Sequence, residues 1–124
     1  MRILLAAPDR DLLECYGELL EADFGEVVTA FDGAQVLSLV SSEDFDAAIL
    51  DCDIPLADHK KLIERIRGKG IPVIALINGS PDLREPAANA YLSYPFTPGE
   101  LNAAILNIAG NVPEKGSETV TDNE

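Results

Sequence analysis

The chain has no tryptophan, two cysteines, one histidine and no long apolar run. Cys15 and Cys52 have neither the number nor the spacing of a disulfide framework or a zinc site, so we expect free thiols. No apolar segment approaches the roughly 20 residues that span a bilayer. The apolar start of the chain ends at Pro8, which is too early for a signal peptide. We therefore expect a cytoplasmic domain that does not contact a membrane.

Basic residues are also scarce. The chain has nine lysines and arginines and 22 acidic residues, so its net charge is −13. Such a surface repels phosphate backbones, so we do not expect this domain to bind nucleic acid. Five of the nine basic residues nevertheless lie close together, namely Lys60, Lys61, Arg65, Arg67 and Lys69. The solvated face of a helix explains them most simply, and a docking patch for an acidic partner is the alternative.

Short apolar runs alternate with amphipathic segments along the chain. Strands are predicted over 2–7, 26–30, 46–50, 71–77 and 91–93. Helices are predicted over 10–22 and after the capping residues Asp32, Asp58 and Thr97. This rhythm predicts an α/β fold with a five-stranded, doubly wound parallel sheet. A glycine and two prolines between 78 and 90 leave room only for a shortened fourth helix, or for none.

The domain is predicted to cover residues 1–110. Residues 111–124 carry four acids, one lysine and almost no large apolar side chain. Such a composition cannot bury enough surface to offset the entropy of ordering, so we expect a disordered acidic tail or a linker.

The carboxyl ends of parallel strands meet at one edge of the sheet, where such folds place their chemistry. Asp51 ends an otherwise apolar strand, which favours a functional role for it. Asp9 and Asp53 are expected near the same edge, and the three carboxylates could form a weak Mg²⁺ site. Capping or solvation is the simpler explanation for Asp9 and Asp53.

Three motifs in the expected order carry a resemblance to a known family. They are DAAILDCDIP over 46–55, IPVIAL over 71–76 and AYLSYPF over 90–96. Over residues 2–110 the chain resembles the CheY-like receiver domain of two-component response regulators. The resemblance implies that Asp51 matches the aspartate that accepts a phosphoryl group from a histidine kinase. It also implies that Asp53 lends a backbone carbonyl to Mg²⁺, that Pro55 is the family's proline, and that Tyr91 is its aromatic switch.

The chain departs from this family at the positions that assist phosphorylation. Ala7 and Pro8 replace the pair of acids that holds Mg²⁺, Ile77 replaces a serine or threonine, and Tyr94 replaces a lysine. These losses predict weak or absent Mg²⁺ binding and a degenerate phosphorylation pocket, because phosphoryl transfer depends on neutralising the charge of the phosphoryl oxygens. Tyr94 either covers the emptied pocket and packs against Pro8, or donates its hydroxyl to Asp51 in place of the lysine.

The resemblance and the departures together predict an atypical receiver domain in two-component phosphorelay signalling, with no enzymatic activity of its own. We expect a phosphorylation-independent interaction module, or pseudo-receiver. Its partner would be a histidine kinase, a phosphotransferase or another signalling protein, and homodimerisation is left open. The alternatives are a slow phosphoacceptor that still uses Asp51 and a metal-dependent phosphohydrolase. Nucleotide or flavin binding is disfavoured because no glycine-rich loop follows the first strand. His59 is expected to be solvated.

Overall fold

The computed structural model describes residues 1–55, 58–78 and 88–109. Five strands and four helices follow one another in these ranges. The strands are β1 (Arg2–Ala6), β2 (Glu26–Ala30), β3 (Ala47–Asp51), β4 (Val73–Asn78) and β5 (Ala90–Tyr94). The helices are α1 (Arg10–Phe24), α2 (Gly33–Ser42), α3 (His59–Gly68) and α4 (Pro98–Ala109).

All five strands pair in parallel, in the order β2-β1-β3-β4-β5. β1 lies between β2 and β3, so that Leu5 is opposite Thr29 on one side and Ile49 on the other. The chain therefore winds outward in both directions from β1. This arrangement confirms the predicted doubly wound parallel sheet.

The helices cover both faces of the sheet. Helices α1 and α4 cover one face, where their buried side chains pack with Ile3, Ile49 and Ile74. Helices α2 and α3 cover the other face, where their buried side chains pack with Leu4, Leu50 and Ala75. Successive strand residues point to opposite faces, so the uninterrupted apolar runs supply both cores.

The four helices begin at side chains that can accept a backbone N–H group. Asp9, Asp32 and Asp58 accept such bonds at the start of α1, α2 and α3, as expected of N-cap residues. At the start of α4, the N–H group of Thr97 donates to Glu100 over 2.8 Å, and the N–H group of Glu100 donates to Thr97 Oγ1 over 3.1 Å. This reciprocal capping box confirms the start of the last helix.

Several boundaries differ from the predicted ones. β4 begins at Val73 because Pro72 has no N–H group to donate to a neighbouring strand. β5 extends through Tyr94, which places that side chain on the sheet. The predicted shortening of a helix between β4 and β5 falls on residues 79–87, and the predicted tail on 111–124; both lie outside the described residues. In the described ranges, no helix is both long and apolar enough to cross a membrane.

Candidate functional site

Asp51 is the last residue of β3, at the carboxyl edge of the sheet, where its backbone lies opposite Leu76 of β4. Its side chain is only 5% exposed, and Asp51 is the one charged residue that is buried in the described part of the chain. Burying a carboxylate is costly unless hydrogen bonds replace its water. The donors around Asp51 therefore define the site.

Each carboxylate oxygen of Asp51 accepts one hydrogen bond. The hydroxyl of Tyr94 donates to Oδ2 over 2.6 Å, and the backbone N–H of Asp53 donates to Oδ1 over 2.7 Å. Hydrogen bonds to an ionised acceptor are shorter and stronger than those between neutral groups. Both oxygens are thus held by the protein itself.

Tyr94 is the last residue of β5. β5 pairs with β4, and β4 pairs with β3, the strand that ends at Asp51. Burial, together with the hydrogen bond and the charge of Asp51, raises the pKa of the Tyr94 phenol above its ordinary range. The phenol therefore keeps its proton at neutral pH and remains a donor. Of the two arrangements that the sequence left open for Tyr94, the structure has the one in which the hydroxyl bonds to Asp51.

Asn78 is a site residue that the sequence analysis did not assign. It ends β4, and its side-chain amide donates to Asp53 Oδ2 over 3.0 Å. This bond orients the exposed side chain of Asp53. The backbone N–H of the same residue bonds to Asp51. The available signal was a polar residue at the end of an apolar strand, the same signal that identified Asp51.

Asp9 does not join Asp51 and Asp53. Its Oδ1 accepts the N–H groups of Asp11 and Leu12 over 2.9 and 3.3 Å, so its carboxylate serves as the N-cap of α1. Over the described ranges, no three His, Cys, Asp or Glu side chains are grouped so that they could hold a metal ion. The predicted group of three carboxylates is therefore not formed there.

The resemblance implies a Mg²⁺ ion at this edge of the sheet. Mg²⁺ requires near-octahedral oxygen ligands. Ala7 is fully buried and Pro8 has no ligand atom in its side chain, while the oxygens of Asp51 already accept bonds from Tyr94 and Asp53. In this structure, the groups that donate to the Asp51 carboxylate belong to the protein itself.

The other predicted pocket residues lie on the opposite face of the sheet. Tyr91 and Ile77 pack against the core beneath α2 and α3, and the hydroxyl of Tyr91 accepts the N–H of Ala88 over 3.3 Å. Pro55 is exposed, and its carbonyl accepts the N–H of Gly33 at the start of α2 over 2.9 Å. Tyr91 and Tyr94 therefore belong to different layers of the molecule.

The two cysteines agree with the prediction from sequence, and the histidine does not. Cys15 and Cys52 are free thiols, as expected. Burial, then the charges of Asp51 and Asp53, raises the pKa of the Cys52 thiol, which favours its protonated form. His59 was predicted to be solvated, but its Nε2 atom is buried and has no hydrogen-bond partner in the described part of the chain.

Comparison with known proteins places this chain in a family, although no family model matches it. The transcriptional regulatory protein PrrA of Mycobacterium tuberculosis is 33% identical over an alignment of 130 positions that covers 97% of this chain and 56% of PrrA. CutR of Streptomyces coelicolor is 28% identical over 112 residues, covering 85% of this chain and 52% of CutR. The chain spans about half the length of the curated relatives it matches.

Solved structures show the same fold. The CheY-like response regulator receiver domain from Methanospirillum hungatei superposes with a TM-score of 0.82 at 24% identity, covering 93% of this chain and 98% of that one. The signal receiver domain of an HD domain-containing protein from Pseudomonas fluorescens gives 0.78 at 26% identity, covering 95% and 93%. This chain is a CheY-like receiver domain of the response-regulator family. The predicted family is therefore confirmed.

One structural neighbour bears on the metal. The receiver domain of the sensor histidine kinase PA1611 from Pseudomonas aeruginosa holds a magnesium ion in its active-site cleft. It superposes on this receiver domain with a TM-score of 0.72 at 25% identity, covering 88% of this chain and 98% of that one. At the corresponding edge of the present domain, Tyr94 and the backbone of Asp53 bind the buried carboxylate directly.

Proposed function

We propose that this receiver domain acts in two-component signalling as a pseudo-receiver, that is, as an interaction module that works without phosphorylation. One observation carries the proposal: the hydroxyl of Tyr94, at the position where the resemblance implies a lysine, donates to Oδ2 of Asp51 over 2.6 Å. The unmodified domain would be the form that binds its partner, which is a histidine kinase, a phosphotransferase or another signalling protein. In this role the domain performs no turnover.

The chemistry of phosphorylation explains why this contact disfavours it. An oxygen of Asp51 would have to attack the phosphorus atom while the bond from phosphorus to the donor's leaving group breaks, and the leaving group would depart with the electron pair. The charge on the three equatorial oxygens then needs a metal ion or a cationic side chain. In the described part of the chain, both ion pairs involve Arg2 and none involves Asp51.

A neutral tyrosine hydroxyl does not replace that cation. Removing one well-placed electrostatic donor from an active site typically costs about 2.7–4 kcal/mol in the transition state, or roughly 10²–10³ in rate. Tyr94 also occupies one of the two oxygens that could act as the nucleophile. Weak Mg²⁺ binding is part of the same proposal, because Asp9 caps α1 and Ala7 and Pro8 offer no carboxylate.

Intact mass spectrometry after incubation with Mg²⁺ and acetyl phosphate tests the proposal. The proteins are the wild type, Asp51→Ala, Tyr94→Lys and a conventional receiver domain as the positive control. We expect the conventional receiver to gain one phosphoryl group while the wild type gains none in the same time. We expect Tyr94→Lys to be labelled roughly 10²-fold faster than the wild type, because the lysine restores a cation.

The opposite result is equally clear. If the wild type is labelled at the rate of the conventional receiver, and Asp51→Ala abolishes the label, the domain is an ordinary phosphoacceptor and the proposal is wrong. A slow label that depends on Asp51 would support the second candidate, a slow phosphoacceptor. The buried position of Asp51 at the end of β3 favours that candidate over a phosphohydrolase, for which the described residues form no group of three carboxylates.

A further inference from the structure

Three aromatic rings form a continuous row from Asp51 to the surface of α1. The hydroxyl of Tyr94 bonds to Asp51, the ring centroids of Tyr94 and Phe96 are 5.0 Å apart, and those of Phe96 and Tyr16 are 5.5 Å apart. The planes are tilted by 34° and 33°. Both separations lie within the range of favourable aromatic pairs. We call Tyr94, Phe96 and Tyr16 the aromatic row.

The middle ring of the row is buried and the two outer rings are half-buried. Phe96 is 8% exposed and belongs to the core beneath α1 and α4, which also contains Leu101 and Ile105. Tyr94 and Tyr16 are half-buried at its two sides. Because protein cores are close-packed, Phe96 cannot lose one ring neighbour without a change in its contacts with the other.

The hydroxyl of Tyr94 can therefore take two arrangements. While Oδ2 of Asp51 is available, the hydroxyl donates to it, and the ring stays against Phe96. When Oδ2 is removed or taken up by another donor, the hydroxyl loses its acceptor. A partly buried hydroxyl without a partner is unfavourable, and solvent lies beside the half-buried ring, so the ring turns toward water.

We propose that the state of the Asp51 carboxylate is passed to Tyr16 on α1 through the aromatic row. The proposal rests on the Tyr94–Asp51 contact of the proposed function. The two-state element is the Tyr94 ring, whose position depends on Asp51 at one end and on Phe96 at the other. It applies to any event that takes Oδ2 away from the hydroxyl, such as the binding of a donor from another protein.

This route differs from the one that the resemblance predicts through Tyr91. Tyr91 and Tyr94 are three residues apart on β5, so they face opposite sides of the sheet. Tyr91 packs against the core beneath α2 and α3 and bonds to the N–H of Ala88. The signal from Asp51 therefore reaches the layer of α1 and α4, and the environment of Tyr91 stays unchanged.

The composition makes this directly measurable. The chain contains three tyrosines and no tryptophan, and the three tyrosines are Tyr16, Tyr91 and Tyr94. Ring-¹³C-tyrosine labelling gives one set of ¹H–¹³C correlations for each, and Tyr→Phe variants assign them. We expect Asp51→Ala to shift the signals of Tyr94 and Tyr16 by more than a linewidth and to leave Tyr91 in place. Asp51→Asn keeps an oxygen that accepts the hydroxyl, so its shifts should be smaller.

Two further variants test whether the row carries the effect. In a Tyr94→Phe background, Asp51→Ala should no longer move Tyr16, because the hydroxyl that connects them is gone. In a Phe96→Leu background, Asp51→Ala should still move Tyr94 and leave Tyr16 in place. If Asp51→Ala moves Tyr16 equally in the wild type and in Tyr94→Phe, the effect does not pass through the row and the inference is wrong.

The outcomes separate this inference from the proposed function. An unchanged Tyr94 signal in Asp51→Ala would mean that the hydroxyl does not bond to Asp51, which contradicts both proposals. A shifted Tyr94 with an unchanged Tyr16 would overturn only the coupling to α1. A shift of Tyr91 as large as that of Tyr16 would also overturn it, because the signal would then reach both faces of the sheet.

Discussion

A carboxylate at the end of a buried strand is stable only when the protein supplies donors for both of its oxygens. Asp51 has two, the Tyr94 hydroxyl at 2.6 Å and the Asp53 N–H at 2.7 Å. In a receiver domain this residue is the one expected to react, and here it is bonded instead. At the scale of single residues, Tyr94 thus supplies a neutral hydroxyl donor at the position where the resemblance implies a lysine.

The raised pKa of Tyr94 predicts how stability depends on pH. An unfolded tyrosine titrates near pH 10. The folded phenol, raised by burial and by Asp51, still holds its proton there. The contribution to stability is therefore complete below about pH 10 and is lost as the pH rises further, because the unfolded state loses a proton that the folded state keeps. Urea unfolding of the wild type and Tyr94→Phe between pH 7 and 11 measures it.

We expect the unfolding free energy of the wild type to fall more steeply above about pH 10 than that of Tyr94→Phe. The raised pKa of Cys52 adds a decline that starts at lower pH, but it is common to both proteins and cancels in the difference. Parallel curves for the two proteins over the whole range would contradict the assignment.

At the scale of secondary-structure elements, Asp9 begins α1 and does not belong to the reactive edge. We predict that Asp9→Ala lowers the unfolding free energy by about 1 kcal/mol in buffer with chelator and no divalent cation, because two N–H groups of α1 lose their acceptor. Asp9→Asn should recover most of the loss, since its amide oxygen accepts the same bonds. Chemical denaturation measures both values.

The matched comparison separates a cap from a metal ligand. A ligand role would make Asp9→Asn as harmful as Asp9→Ala, and would confine the loss of stability to buffers that contain Mg²⁺. A capping role gives the same loss with and without Mg²⁺.

The last residue of strand β5 determines which side chain reaches Asp51. The sequence predicted residues 91–93 as a strand and left Tyr94 in the following loop. In the structure, β5 runs through Tyr94, which pairs with Asn78 of β4. The alternation of a strand then directs Tyr94 to the face of α1 and α4 and Tyr91 to the face of α2 and α3. One added strand residue thus brings the hydroxyl to Asp51.

At the scale of the whole molecule, stability depends on two cores separated by one sheet. Ile49 and Leu50 are neighbours in β3, 0% and 1% exposed, and they point to opposite faces. We predict that Ile49→Ala and Leu50→Ala each lower the unfolding free energy by about 2–5 kcal/mol, the usual cost of a cavity in a packed core. Leu106→Ala is the matched control, because Leu106 is 60% exposed on α4.

Urea denaturation gives all three values. We expect Leu106→Ala to change the unfolding free energy by less than about 0.5 kcal/mol. If either Ile49→Ala or Leu50→Ala behaved like Leu106→Ala, one face of the sheet would not be covered and the doubly wound architecture would be wrong.

The sequence by itself determined the order of strands and helices, the caps at Asp9, Asp32, Asp58 and Thr97, and the place of Asp51. These follow from local physics, since apolar periodicity and capping side chains act within a few residues of the chain. Only the tertiary structure decided which groups surround Asp51. Tyr94 and Asn78 reach the site through the pairing of β3, β4 and β5, across separations of 43 and 27 residues from Asp51. Asp9, although close to that edge, is retained by α1, because the unpaired N–H groups at a helix start compete for the same carboxylate.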